Sequence, residues 1–238
     1  MEAVRSRSGQ RAALRIGGLT PLSLTDYPGQ LAAVVFCQGC AWRCGYCHNP
    51  HLLPPRAGGG VEWRDVVRFL RRRVGLLDAV VFSGGEPTRQ PGLAAAAAQA
   101  RALGFHVGLH TAGVHPRRLE AVLPQVDWVG FDVKAPFHAY AAITGVEGSG
   151  AAALASLRLV LASGVGHEVR TTVHPALLPP AGLLELARTL VAMGVARFVV
   201  QEARGRGPDG RLPPARAVDA VPGDRLAGLF GSFEIRRA

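Results

Sequence analysis

Four cysteines, Cys37, Cys40, Cys44 and Cys47, lie within one short stretch of this 238-residue sequence, which contains no other cysteine. Disulfide frameworks normally spread their cysteines along a small secreted chain, so this clustering favours metal binding. Two metal sites fit the spacing. Four thiolates in a C-x2-C-x3-C-x2-C pattern could close a tetrahedral zinc site. The last three, in the pattern C-x3-C-x2-C, could bind three irons of a four-iron cluster and leave the fourth iron open for catalysis.

The position of the cysteines along the chain favours the open cluster over the zinc site. They follow an apolar run at residues 31–36 that is typical of a buried parallel strand. In barrel enzymes, the carboxyl ends of such strands carry the active site. Cys37 stands at the strand end, where we expect a small buried residue, with metal ligation as the less favoured alternative. His48, Asn49 and Pro50 are expected to shape the exit turn.

Further polar residues follow the later apolar runs. Ser83-Gly84-Gly85-Glu86 comes after residues 79–82, where two glycines alone also fit a tight strand-to-helix loop. Asp132 and Lys134 close a run at residues 128–133, and strand alternation places both on one face, so a structural salt bridge is one explanation. Lys134 is, however, the only lysine, and the other 26 of the 27 lysine and arginine residues are arginines, which favours a specific role for it.

Weaker candidates occupy the remaining strand ends. Thr111 follows His110 after a run at residues 106–110, and Arg170 and Thr172 lie within a run at residues 168–173. Gln201 ends a run at residues 197–200. Each of these side chains fits either a ligand contact or a hydrogen bond inside a barrel core.

The six apolar runs alternate with helical patterns. Residues 63–73 place their apolar side chains on one face, and residues 93–103 are rich in alanine, a strong helix former. Six β–α units in series predict a parallel sheet with right-handed crossovers, and here an α/β fold of the incomplete (β/α)6 TIM-like barrel type. The expected helices span residues 63–73, 93–103, 116–123, 150–163 and 181–193.

Three regions are expected along the chain. A flexible basic N-terminal arm occupies residues 1–14, the partial barrel occupies residues 15–204, and a Gly/Pro/Arg-rich loop with a C-terminal extension occupies residues 205–238. Residues 15–23, followed by the turn-forming residues 25–29, look like a hairpin leading into the first strand. A short helix and a strand are expected within residues 224–237.

Composition limits the classes of partner. The net charge is +10, but the arginines are scattered and no aromatic residues interleave with them, which argues against nucleic-acid binding. No apolar stretch approaches the roughly 18 residues of a membrane-spanning helix. The basic N-terminus also lacks the apolar core of a secretory signal, so the expected location is the cytoplasm.

The pattern Cys40-x3-Cys44-x-Tyr46-Cys47 resembles the signature of the radical S-adenosylmethionine (SAM) enzymes, and Gly84-Gly85-Glu86 resembles their GGE motif. The resemblance implies a 4Fe–4S cluster held by the three cysteines, with SAM at the open iron. It implies that Glu86 accepts a hydrogen bond from the methionyl ammonium and that Lys134 meets the methionyl carboxylate or the ribose. The implied SAM-contacting residues are Tyr46, Gly84, Gly85, Glu86, Thr111, Asp132, Lys134, Arg170 and Gln201.

Several longer segments resemble one subgroup, the anaerobic ribonucleoside-triphosphate reductase activating proteins, which are glycyl-radical-enzyme activases. These segments are residues 17–20, 23–29, 47–50, 132–136 and 170–175, whereas Cys37 and residues 202–204 depart from the pattern. The resemblance implies reductive cleavage of SAM to a 5′-deoxyadenosyl radical that takes a hydrogen atom from a glycine Cα of a partner enzyme. It also implies a one-electron reductant of the flavodoxin or ferredoxin type.

Two alternatives remain open. One is a radical SAM enzyme that acts on a small molecule, such as a deazapurine precursor. The other is a non-catalytic protein that binds zinc or an iron–sulfur cluster.

Overall fold

The computed structural model describes residues 14–56, 60–204, 207, 210, 212, 213, 219 and 221–237. Residues 1–13 of the expected basic arm lie outside this part of the chain. Most of the expected loop at residues 205–223 also lies outside it.

One sheet of eight strands organises the described residues, in the spatial order β1 to β8. The first strand, β1, is antiparallel to β2, and every later neighbour is parallel. Parallel neighbours require crossover connections, and helices supply most of them here. The strands are β1 Ile16–Ser23, β2 Ala32–Cys37, β3 Ala79–Gly84, β4 His106–Thr111, β5 Trp128–Asp132, β6 Gly166–Val173, β7 Arg197–Glu202 and β8 Ser232–Arg236.

Seven α-helices are found in the described residues, together with four short 3-10 turns. The helices are α1 Trp63–Arg71, α2 Leu93–Ala102, α3 Pro116–Val122, α4 Tyr140–Thr144, α5 Ser149–Ala162, α6 Pro180–Ala192 and α7 Gly223–Ala227. The 3-10 turns are Pro50–Leu52, Pro87–Arg89, Leu123–Gln125 and Phe137–Ala139.

This architecture confirms the predicted α/β fold with a largely parallel sheet. The six predicted strands correspond to β2 through β7, and the expected hairpin is formed by β1 and β2. Strand β8 adds one more parallel strand beside β7, within the region expected to be a C-terminal extension. The short helix α4 was not predicted.

Strand alternation divides the buried side chains between two faces of the sheet. Ala33 and Val35 of β2 belong to the main core, which also contains the buried faces of the helices. Ala32 and Val34 belong to a second, smaller apolar group with Tyr27. The helices therefore cover one face of the sheet, and the concave face has its own apolar lining.

The loop between β1 and β2 folds against this concave face. The ring of Tyr27 stacks on Trp128 with 5.2 Å between ring centroids. The carbonyl oxygen of Asp26 lies 2.7 Å from Nε2 of His110 in β4. Gly108 makes room for the loop, because a Cβ at that position would lie 3.1 Å from Cδ1 of Tyr27 and 2.9 Å from Val81. The loop fills space that would otherwise be open to water.

An ion network attaches β8 to the rest of the sheet. Glu168 of β6 is fully buried, and its two carboxylate oxygens accept hydrogen bonds of 2.7 and 3.1 Å from Arg236 of β8. Arg197 of β7 lies 3.2 Å from the same carboxylate. A buried carboxylate needs such partners, because an unpaired charge in the interior is strongly destabilising.

Within the described chain, no single helix has the length and apolarity needed to cross a membrane. One bent pair, Phe137–Thr144 with Ser149–Ala162, reaches those limits only when its two members are combined.

Candidate active site

The cysteine loop, residues 37–47, leaves the carboxyl end of β2 and is held by backbone hydrogen bonds. Gly39 N–H donates to the carbonyl of Leu52 at 2.7 Å, and Cys40 N–H donates to that of Leu53 at 3.1 Å. Farther along, Arg43 N–H donates to the carbonyl of Thr144 at 2.8 Å. The loop is thus fixed on both sides, although it contains neither helix nor strand after Cys37, the last residue of β2.

Three of the four cysteines open into one cavity at the carboxyl ends of the strands, here called the central pocket. Cys40, Cys44 and Cys47 line it. Cys37 does not line it, because its side chain is completely buried in the main core. Burial, together with the nearby Glu86 carboxylate, raises the pKa of the Cys37 thiol well above its ordinary value. The pKa shift does not single out Cys37, because burial and Glu86 also raise the pKa of Cys40, to about 12. Cys37 differs from the other three in that it does not line the pocket.

The thiolate set fits an open cluster better than a closed zinc site. Among the described residues, no three Cys, His, Asp or Glu side chains converge as ligands of a single metal ion. Zinc in a structural site would need all four sulfurs within one tetrahedron. The separation of Cys37 from the triad removes that arrangement, whereas three thiolates around one pocket match the ligand set of a cluster with a free iron.

Gly84 and Gly85 bring β3 into direct contact with the cysteine loop. A Cβ at Gly84 would lie 2.5 Å from the carbonyl oxygen of Cys37, and the backbone has a φ of +116°. A Cβ at Gly85 would lie 2.8 Å from the carbonyl oxygens of Gly39 and Leu52. The close approach that requires these glycines is between two protein segments. Their predicted contact with SAM stays a prediction.

Glu86 joins the end of β3 to the end of β4. Its Oε1 accepts hydrogen bonds from Thr88 N at 2.9 Å, from Thr88 Oγ1 at 2.6 Å and from Thr111 Oγ1 at 2.6 Å. Its Oε2 accepts one bond, from Ala112 N at 3.0 Å. Burial raises the pKa of Glu86 even though these bonds oppose the shift. Oε2 retains capacity for one further donor from the central pocket, which Glu86 lines.

Asp132 pairs with Arg170 across neighbouring strands. Nε of Arg170 lies 2.8 Å from Oδ1 of Asp132, and a second guanidinium nitrogen donates to the carbonyl of Gly130 at 3.1 Å. Burial would raise the pKa of Asp132, but the positive charges of Arg170 and Lys134 outweigh it and lower the pKa. The salt bridge to Lys134 that strand alternation allowed is not formed.

Lys134 therefore carries a positive charge with no ion pair in the described chain. Its Nζ lies 5.6 Å from the centre of the Tyr46 ring, a cation–π distance. Its backbone N–H donates to the hydroxyl of Tyr140 at 2.9 Å, which fixes the backbone from which the side chain projects. The Tyr46 hydroxyl is buried and has no partner among the described residues. An ammonium group in this setting can receive a ligand carboxylate.

His110 connects the β1–β2 loop to the central pocket. A carbonyl oxygen can only accept, so Nε2 carries the proton donated to Asp26, and Nδ1 faces the Ser83 hydroxyl at 3.5 Å. Burial and the nearby Arg170 charge lower the pKa of His110 to about 4. The imidazole is neutral at physiological pH and does not repel a cationic ligand.

The central pocket collects most of the sequence-predicted site residues. Eleven of the twelve line it: Cys40, Cys44, Tyr46, Cys47, Gly84, Gly85, Glu86, Thr111, Asp132, Lys134 and Arg170. Gln201 is not among the lining residues. It is half-buried at the end of β7, where it pairs with Thr172 and Arg236 of the adjacent strands. Trp42 also lines the pocket and was missed, because only its place inside the cysteine loop could have indicated it.

The sequence profile of the radical SAM superfamily matches residues 34–199, which span most of the chain. The chain belongs to the radical SAM superfamily. Enzymes of this family use a 4Fe–4S cluster and SAM, so both predicted cofactors are confirmed. The match also makes the chain a catalytic radical SAM enzyme rather than a zinc-binding protein.

Two relatives illustrate the similarity in sequence. The chain is 33% identical over 185 residues to a protein of Methanocaldococcus jannaschii whose name describes glycyl-radical enzyme activation; the alignment covers 74% of this chain and 75% of that protein. It is 34% identical over 125 residues to the pyruvate formate-lyase-activating enzyme of Clostridium pasteurianum, covering 50% and 52% respectively. This radical SAM chain thus spans about half of the Clostridium enzyme.

Two solved structures show the same fold. SuiB of Streptococcus suis bound to S-adenosylmethionine superposes with a TM-score of 0.66 at 14% identity, over 84% of this chain and 48% of SuiB. QueE from Escherichia coli superposes with a TM-score of 0.61 at 16% identity, over 94% of this chain and 93% of QueE. Identities this low show the radical SAM partial barrel and do not extend to substrate.

Proposed function

We propose that this radical SAM enzyme is a glycyl-radical-enzyme activating enzyme whose partner is anaerobic ribonucleoside-triphosphate reductase. The observation that carries the proposal is the separation of the cysteines: Cys40, Cys44 and Cys47 line the central pocket and Cys37 does not. Three protein thiolates leave one iron of a four-iron cluster without a protein ligand, and SAM needs that position.

The names of the relatives support activation of a glycyl-radical enzyme, but they support more than one partner. The archaeal relative is named for this activity in general, and the Clostridium relative is named for pyruvate formate-lyase. The choice of the ribonucleotide reductase depends on the sequence segments that resemble its activating proteins. One of them, residues 23–29, forms the loop that covers the concave face of the sheet beside His110.

The residues of the central pocket have separable tasks in this proposal. The bound cluster would supply the electron that breaks a carbon–sulfur bond of SAM. Lys134 would attract the methionyl carboxylate, and Oε2 of Glu86 would accept a hydrogen bond from the methionyl ammonium. The paired charges of Asp132 and Arg170 add polarity to the pocket without adding net charge.

Water exclusion is the remaining task, because a primary carbon radical attacks whatever it first meets. The β1–β2 loop covers the concave face through Tyr27 and Trp128. His110 extends this cover to the pocket as a neutral hydrogen-bonded group. The protein's contribution is therefore orientation and shielding, with the hard chemistry left to the cofactors.

The decisive experiment uses anaerobically reconstituted enzyme, SAM and dithionite. Release of 5′-deoxyadenosine would establish reductive SAM cleavage. Electron paramagnetic resonance would then detect a glycyl radical on purified anaerobic ribonucleotide reductase, with pyruvate formate-lyase as the matched control partner. A radical on the lyase alone would reassign the partner. Cleavage without a radical on either protein would favour the alternative of a small-molecule substrate.

A further inference from the structure

A second cavity lies beside the cysteine loop, outside the central pocket, and is here called the arginine cavity. Its volume is about 490 Å³, and it is lined by three arginines, Arg15, Arg89 and Arg118, and by His115. No carboxylate belongs to the described residues that line it. Arg15 and Arg118 are exposed at its rim, whereas Arg89 is half-buried.

No described residue neutralises the positive charges of this cavity. Arg15 donates to the carbonyl of Pro55 at 3.2 Å, and Arg118 donates to the carbonyl of Arg89. The guanidinium of Arg89 bonds to no described residue. Elsewhere, Arg101, Arg170 and Arg236 each pair with a carboxylate. Uncompensated charges concentrated in a concavity produce a positive field that attracts an anionic partner.

His115 supports the same conclusion. Its Nε2 is buried and has no hydrogen-bond partner in the described chain. Buried polar atoms are normally paired, so a bare one in the wall of a charged cavity indicates that something else completes the site.

One residue of the cysteine loop, Gln38, lines the arginine cavity. A Cβ at Gly39 would lie 3.2 Å from Nε of Arg89, and Gly39 directly precedes Cys40. Nε2 of Gln90 donates to the carbonyl of Gln38 at 2.5 Å, one residue earlier in the loop. A partner bound at this cavity would therefore contact the loop that carries the first cysteine of the triad.

We propose that the arginine cavity and its rim receive the acidic surface of a one-electron donor protein. This inference rests on the proposed function, because each reductive SAM cleavage consumes one electron that must reach the cysteine loop from outside. The donor loses one electron, and the 4Fe–4S cluster that the cysteine loop would hold gains it. Charge complementarity selects an acidic protein, and the described lining contains no aromatic side chain, apart from His115, on which a nucleotide base could stack.

The test compares two double variants that remove the same charge. Arg89→Gln with Arg118→Gln alters the cavity, and Arg71→Gln with Arg72→Gln alters exposed arginines at the end of α1. Binding to an acidic ferredoxin is measured by calorimetry at low and high salt. Loss of cavity charges should raise the Kd roughly tenfold or more and reduce its salt dependence, because exposed interfacial charges act mainly through electrostatic attraction. The control pair should stay within about twofold of wild type.

Cluster reduction provides a second readout. Reduction by the ferredoxin should slow in parallel with binding in the cavity variant, whereas dithionite-driven SAM cleavage should be unchanged. If the double variant also loses dithionite-driven SAM cleavage, the single variant Arg15→Gln tests the proposal instead, because the guanidinium of Arg15 bonds, among the described residues, only to the carbonyl of Pro55. It should weaken ferredoxin binding and preserve dithionite activity.

Equal ferredoxin affinity in all variants would overturn the inference. Binding of inorganic pyrophosphate at the cavity, without competition against ferredoxin, would overturn it as well and identify a small-anion site. Failure of the proposed function is distinguishable, because it would leave the reductase without a glycyl radical while ferredoxin binding and SAM cleavage stay measurable.

Discussion

Arg236→Met should destabilise the protein strongly, because it removes the main partner of a fully buried carboxylate. Both oxygens of Glu168 bond to Arg236, at 2.7 and 3.1 Å, and Glu168 has 0% side-chain exposure. Breaking a buried pair typically costs about 3–5 kcal/mol. Arg197 still reaches the carboxylate at 3.2 Å, and Arg236 is itself 28% exposed, so the low end of about 3 kcal/mol applies.

For a protein of this length, that loss corresponds to a fall in Tm of about 6–12 °C. Thermal unfolding of the apoprotein followed by circular dichroism measures it. Arg237→Met is the matched control: its side chain is 74% exposed and lies 3.8 Å from Asp219, so its Tm should change by less than about 2 °C. The double variant Glu168→Leu with Arg236→Met should recover most of the lost stability, because replacing Glu168 with an apolar residue removes the unpaired buried charge. A Tm for Arg236→Met within 2 °C of wild type, by the same scale, would refute the reasoning.

Three further predictions concern the pocket and its supports. Gly84→Ala should lower the free energy of unfolding by several kcal/mol, and Gly104→Ala should lower it by about 1–2 kcal/mol. Both glycines have a positive φ, but only at Gly84 would the added Cβ meet backbone atoms. Equal losses of the two variants in chemical denaturation would contradict this. The unfolding free energy should rise as pH increases from about 4 to 6.5, because the lowered pKa of His110 makes the unfolded chain bind more protons there. His110→Gln should flatten that slope, and exposed His106→Gln should leave it intact. Lys134→Met should raise the KM for SAM about 10- to 100-fold with iron content unchanged, the loss expected for a charged hydrogen bond; an unchanged KM would exclude the carboxylate contact.

The sequence was informative where local periodicity and spacing carry the information. The runs that became β2 to β7 are short, apolar and separated by helical patterns, so both their type and their parallel order could be predicted. The cysteine triad was predictable for a similar reason, since all three thiols come from one loop. Cys37 separates from them because it is still part of the strand, where it faces the main core.

Contacts between distant segments could not be predicted in the same way. Alternation placed Asp132 and Lys134 on one face, but the partner of Asp132 is Arg170, 38 residues away. The bond from His110 to Asp26 joins residues 84 apart. Strand β8 is short and charged on one face. Its place in the sheet is explained by the buried carboxylate of Glu168, which accepts a hydrogen bond from Arg236 of β8. Tertiary pairing decided each of these cases.

The most direct test of the account is the metal content of two cysteine variants after anaerobic reconstitution with iron and sulfide. Cys37→Ala should retain about four irons per chain and should still cleave SAM under dithionite, because Cys37 is a buried thiol outside the pocket. Cys44→Ala should lose both the cluster and the cleavage. Retention of one zinc per chain in wild type, with loss of metal in Cys37→Ala, would contradict the central claim that three thiolates hold an open cluster.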